Sequence, residues 1–293
     1  MKFYKNGNYV VCIMDDGTKI RRTNSNNFVP SFAENMDVKI TSKCSIGCPF
    51  CYEGCTKDGQ HASLFKYKFI ETLHPYTELA LNGNDLDHPE LYSFLLFLKS
   101  RNIFTNITVN QQQFFDNYEK LKEWSEEKLI YGLGISYVYH SIWFINALKE
   151  FPNAVIHTIV GILTEQDVDV LRDQDLKLLI LGYKNLGRGE QYLNDRISSI
   201  TKNILYLENE LPNMIKNNWF KVLSFDNLAL EQLDIRSLVS EKEWNNFYMG
   251  DDGQFTFYID MVAGEFAKNS LSQERYKIGD LSVDEMFNKI KTI

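Results

Sequence analysis

The chain has 293 residues, 44% of them apolar and 24% charged, with 39 acidic against 31 basic side chains for a net charge of −8. This is enough for the core of one large domain, and it argues against a nucleic-acid binder, which would carry a basic stripe. No run of about 18 apolar residues would span a bilayer, and Met1-Lys2-Phe3-Tyr4-Lys5 lacks the apolar stretch of a secretory signal. The sequence therefore predicts a cytoplasmic protein with neither membrane nor nucleic-acid partners.

Residues 8–23 read as a β-hairpin, with strands at 10–14 and 19–22 around Asp15-Asp16-Gly17. Beyond an Asn-rich loop, short apolar strands are expected at 37–41, 78–81, 106–110, 131–136, 155–162 and 177–182. Between them lie helix-period stretches at 63–73, 89–100, 114–128, 142–150 and 165–172. Strands and helices alternating in series predict a parallel α/β fold. Periodicity alone does not separate an open sheet from a partly closed barrel. A helix at 198–217, interrupted by Pro212, should follow. A second hairpin, 247–249 with 254–260 around Gly250-Asp251-Asp252-Gly253, and a helix at 283–291 close the chain. Three parts result: an N-terminal hairpin over 1–30, an α/β body over 31–220 and a β-rich extension over 221–293.

Four of the five cysteines, Cys44, Cys48, Cys51 and Cys55, fall within twelve residues. In a cytosolic chain such clustering points to a metal and not to a disulfide framework. Cys12, inside an apolar run, reads as a buried inert thiol. Three thiolates on the loop Cys44-Ser45-Ile46-Gly47-Cys48-Pro49-Phe50-Cys51 can hold three corners of an iron–sulfur cubane and leave one iron open. Four thiolates can also hold structural zinc, although zinc sites usually draw ligand pairs from two separated segments. Cys55 reads as a bystander or pocket-lining thiol.

The spacing C-x3-C-x2-C, with an aromatic residue before the last cysteine, resembles the signature of the radical S-adenosylmethionine superfamily. The resemblance, which runs from about residue 37 to 184, implies a partial (β/α)6 TIM-like barrel in which Cys44, Cys48 and Cys51 ligate one 4Fe–4S cluster. It implies further that S-adenosylmethionine chelates the open iron, that Phe50 packs near its adenine, and that an electron donor such as a flavodoxin or ferredoxin drives cleavage to a 5′-deoxyadenosyl radical. Members carry Gly-Gly-Glu-Pro after the second strand. Here Gly83, Asn84 and Asp85 fall on the Gly, Gly and Glu positions, which would make Asp85 the acceptor for the methionine ammonium. Read as residues alone, the segment is a turn capping the next helix. The resemblance also places Ser136 on the ribose or carboxylate and Gly161 behind the adenine. Their plainer readings are a strand-end hydroxyl and a close-packing glycine.

In barrels of this kind active sites gather at the C-terminal ends of the strands. On the substrate side, Lys184 and Arg188 stand in a Gly-rich loop suited to a carboxylate or phosphate. Asp226 orients a substrate or caps a helix. The tail resembles that of peptide-modifying members but holds no cysteine, so a peptide or protein substrate without an auxiliary cluster is expected. The functional expectation is a radical S-adenosylmethionine enzyme. Its rivals are a cluster-binding scaffold without turnover and a structural zinc protein.

Overall fold

Asp15-Asp16-Gly17 reverses the chain as expected, but the N-terminal unit has three strands. β1 (Lys2–Asn6), β2 (Tyr9–Ile13) and β3 (Lys19–Thr23) form an antiparallel sheet in that order. β1 escapes the sequence reading because its residues are mostly exposed and show no apolar alternation.

In the computed structural model, which describes residues 1–292, the body is an α/β fold around a mostly parallel ten-stranded sheet. Its strands are β4 (Asn35–Lys39), β5 (Glu78–Asn82), β6 (Phe104–Asn110), β7 (Gly132–Ser136), β8 (Ala154–Ile159), β9 (Lys177–Leu181), β10 (Val222–Phe225), β11 (Thr256–Asp260), β12 (Glu265–Ala267) and β13 (Tyr276–Lys277). They lie in the order β10-β9-β8-β7-β6-β5-β4-β11-β12-β13. All pairs from β10 through β11 are parallel, and β12 and β13 add an antiparallel margin. Alternate residues such as Val38, Leu81, Ile107 and Ile180 are buried in one continuous core with Phe94, Leu98 and Leu207 of the surrounding helices. Period-two alternation thus gives the strands one apolar face for the helices and a second face of different character.

The expected hairpin at 247–260 does not form. Phe247 ends the helix Glu241–Phe247, and β11 pairs in parallel with β4 and antiparallel with β12 beyond it. Gly250-Asp-Asp-Gly bends the chain without pairing its flanks, because β4 offers β11 a buried ladder. The extension is thus continuous with the main sheet. The expected helix at 63–73 shrinks to a 3-10 turn, Lys68–Thr72. The long helix runs Arg188–Lys216, and its backbone breaks at Arg196 instead of at Pro212. Pro212 and Glu208 are both exposed, so water can take the carbonyl that proline leaves without a donor. No helix among the described residues is long and apolar enough to cross a membrane.

The N-terminal sheet docks on the body through a buried carboxylate. Glu34 accepts from Tyr9 Oη at 2.6 Å and from Arg21 Nε and Nη2 at 2.8 and 3.1 Å, and Lys19 Nζ lies 3.5 Å away. The β2–β3 turn is pinned from the other side. Tyr131 Oη, Asn153 Nδ2 and Lys177 Nζ donate to the carbonyls of Met14, Asp15 and Asp16. Replacing Glu34 by Ala strands the Arg21 guanidinium in a dry site. Urea unfolding should show a loss of about 3–5 kcal/mol.

Candidate functional site

The cysteine loop leaves the C-terminal end of β4 and returns where Lys43 bridges to Thr56. Cys44 N donates to Thr56 O at 2.8 Å, and Cys51 N to Cys48 O at 3.2 Å. A single residue ties down the rest. Arg188 donates from Nε to Cys48 O and from Nη1 to Cys55 O, each at 2.9 Å, and its backbone N donates to Cys51 O at 3.0 Å. The guanidinium thus serves the cysteine loop with two of its N–H groups while also lining the cavity below. Gly187 makes this approach possible: at φ +56° its absent Cβ would stand 2.5 Å from the Tyr52 carbonyl oxygen. Phe50 packs edge-on against Tyr192, 5.7 Å between centroids.

The loop opens onto a cavity of about 1220 Å³, lined by inner-face residues of β4 through β11 and closed at the far end by the Asp15–Thr18 turn. Cys44, Cys48 and Cys51 are half-buried and line it. Cys55 is buried and lines the cavity as well. Its Sγ donates to Glu53 Oε2 at 3.3 Å and accepts from Asn84 Nδ2 at 3.2 Å. Glu53 also takes Tyr52 Oη at 3.2 Å and Asn82 Nδ2 at 3.4 Å, with Lys39 Nζ at 3.9 Å. The neighbouring Cys55 thiol lowers the Cys51 thiol from its ordinary value, and the same pairing raises Cys55. Burial raises the Cys48 thiol. Among the described residues no three His, Cys, Asp or Glu side chains converge on one point as ligands of a single ion must. A cubane takes one thiolate per iron and makes no such demand.

The other expected residues are divided. Asn84 and Ser136 line the cavity, and so do Lys184, Arg188 and Asp226. Asp85 does not. Its carboxylate lies 3.3 Å from Lys43 Nζ and 3.7 Å from His61 Nε2, and it accepts from Asp87 N. The Lys43 ammonium, the His61 ring and the local turn hold it away from the position expected of an ammonium acceptor. Gly83 is held by a 2.7 Å bond to Thr108 O, where a Cβ would collide. Gly161 is a turn residue at φ +78°, packed on Ile200 of the long helix, so packing is its role here. Asp226 Oδ1 accepts from Ala229 N and Gly182 N, each at 2.8 Å, which makes it the helix cap of the two readings. Lys184 Nζ donates to Ser270 Oγ and sits 4.1 Å above the Tyr52 ring.

Sequence reasoning passed over Asp37, Lys39, Glu53, Asn82 and His157, which all line the cavity. Polar residues alternating with aliphatic ones, as in Met36-Asp37-Val38-Lys39, were the available signal. Gly134 supports this inner face, since a Cβ there would meet His157 Cε1 at 2.4 Å. Desolvation drives the two central groups in opposite directions. It raises the Asp37 carboxyl to about 6 and lowers the His157 imidazole to about 4.

These shifts act oppositely on stability. His157 stays neutral in the fold but protonates near 6.5 when unfolded, so its contribution is lost as pH falls from about 6.5 to 4. Asp37 protonates more readily folded than unfolded, so its contribution is present below 3.8 and is lost as pH rises through about 6. The stability difference between wild type and His157→Gln should therefore shrink on acidification, while that between wild type and Asp37→Asn should grow. Urea titrations across this window check both signs.

No protein-family model matches the chain, and no curated protein matches it. One solved structure, of MGS-M4, an aldo-keto reductase enzyme from a Medee basin deep-sea metagenome library, aligns with 93% of this chain and 99% of its own. Identity is 9% and the TM-score 0.27, too slight a likeness to carry an argument.

Proposed function

We propose that this chain is a radical S-adenosylmethionine enzyme in which Cys44, Cys48 and Cys51 hold one 4Fe–4S cluster. The observation that carries the reading is the setting of the C-x3-C-x2-C loop. It is tied by Arg188 at the C-terminal ends of parallel strands and opens on a cavity of about 1220 Å³, with the fourth cysteine already bonded to Glu53 and Asn84. That volume exceeds the roughly 300–1,000 Å³ of pockets for one small ligand, leaving room for a cofactor and a second molecule. In this reading the sheet curls into a partial barrel whose lumen is the cavity.

A cluster held by three thiolates supplies an open iron for the methionine end of S-adenosylmethionine and an electron that cleaves the sulfonium to methionine and a 5′-deoxyadenosyl radical. The chain's own residues do the rest. Arg188 fixes the loop carbonyls so that the thiols keep their spacing. Glu53 and Asn84 hold the Cys55 thiol aside and keep it from competing as a fourth ligand. Asn84 and Ser136 offer polar groups at the strand ends, and Phe50 an apolar surface. The lumen would hold the substrate beside the cofactor, a peptide or protein being the class that the tail's likeness suggests, and a flavodoxin or ferredoxin would supply the electron.

One observation favours a second reading, a cluster-holding scaffold without turnover: Asp85 is bound to Lys43 and His61 and does not face the cavity. Anaerobic reconstitution with iron and sulfide, followed by a 5′-deoxyadenosine assay, separates the two. The enzyme should form one cluster per chain and release 5′-deoxyadenosine. Ala at Cys44, Cys48 or Cys51 should abolish both, whereas Cys55→Ala should keep the cluster. A cluster that binds the cofactor without cleaving it decides for the scaffold.

A further inference from the structure

Asp37 lies in the middle of β4, between β5 and β11, so its carboxylate opens on the cavity and not on outer solvent. It makes no ion pair among the described residues. The cation that acts on it, Lys184 from the loop after β9, is committed to Ser270 Oγ and the Tyr52 ring. Asp226, after β10, and Asp252, before β11, add negative charge nearby. Asp226 Oδ1 takes two backbone N–H groups, and Asp252 takes Asn227 Nδ2 and Asn269 Nδ2 at 2.7 and 2.6 Å. In the same cavity, β8 and β9 present Val155, Ile159, Leu179 and Leu181, with His157 and Lys177 on the same face. A carboxylate without a counter-ion shares the cavity with these aliphatic side chains.

We infer that Asp37 anchors a cationic alkylamine, such as a lysine side chain, whose ammonium meets the carboxylate while its methylene stem lies along the β8–β9 wall. The carboxylate is open to the cavity and has no ion-pair partner among the described residues, so an incoming ammonium adds a charge-assisted hydrogen bond that none of their side chains supplies. A neutral ligand of the same shape gains the apolar wall alone. The inference deepens the reading above by naming the substrate class, and rests on it only in treating the occupant as a substrate.

The test measures binding of N-acetyl-L-lysine methylamide and of the neutral N-acetyl-L-norleucine methylamide to the purified chain, without reductant or S-adenosylmethionine. Wild type should prefer the lysine probe by about tenfold, the scale of one charge-assisted contact. Asp37→Asn should erase the preference and Asp37→Glu should retain it. In wild type the preference should fall as pH drops below about 6, where Asp37 takes up a proton. That arm decides the matter if the Asn variant does not fold. Equal binding of the two probes, binding of neither, or a preference indifferent to Asp37 and to pH overturns the proposal. Cofactor cleavage plays no part in the binding measurement, so its failure and the failure of a 5′-deoxyadenosine assay are distinguishable.

Discussion

A parallel sheet with one aliphatic and one partly polar face must dispose of the latter without leaving it dry. Here the helices take the aliphatic side, where Val38, Leu81, Ile107 and Ile180 join Phe94 and Leu207 in one core. The other side is mixed: β4, β5 and β6 carry Asp37, Lys39, Asn82, Asn106 and Thr108, which no helix could cover without stranding them, while β8 and β9 add aliphatic residues. Enclosing a solvent-filled cavity meets that constraint. The glycines of β7 keep the cavity open by yielding space to the side chains opposite, Gly134 to His157 and Gly132 to Asn106. The binding volume is thus a consequence of strand patterning.

The two ends of the cavity are finished by segments that contribute little to the core. At one end the N-terminal sheet is fixed by Glu34 and its cations, with the Asp15–Thr18 turn reaching the lining. At the other, the cysteine loop depends on Arg188, because its own backbone closes few bonds beyond those of Cys44 and Cys51. Using a guanidinium to bind carbonyls suits a loop whose thiols must keep a fixed spacing yet stay accessible. Two of the five guanidinium N–H groups do that work, and the side chain also lines the cavity.

Inside the cavity the electrostatics are set by desolvation more than by pairing. Asp37 and His157 sit on the same lining and shift toward their neutral forms. Lys39, Glu53 and Asp260 form instead a linked group nearer the cysteines. The cavity therefore has an ion-paired zone beside the loop and a zone around Asp37 without ion pairs among the described residues.

The sequence by itself determined the alternation of strands and helices, the place of the cysteine loop after the first body strand, and the closing helix Val283–Lys291. These are local signals, carried by periodicity and by the spacing of a few residue types. It did not disclose that Thr256–Asp260 would join β4, since pairing across more than two hundred residues depends on which edge is left free. The turn Gly7-Asn8 between β1 and β2 was a legible hairpin signal that a reading based on apolar alternation missed. Roles at the site divided in the same way. The grouping of Cys44, Cys48 and Cys51 on one loop was legible from spacing, whereas the turning of Asp85 toward Lys43 and the bonds of Arg188 to the cysteine loop were not. Whether a polar side chain faces a lumen or a neighbour's carbonyl depends on residues distant in the chain, and only packing brings those together.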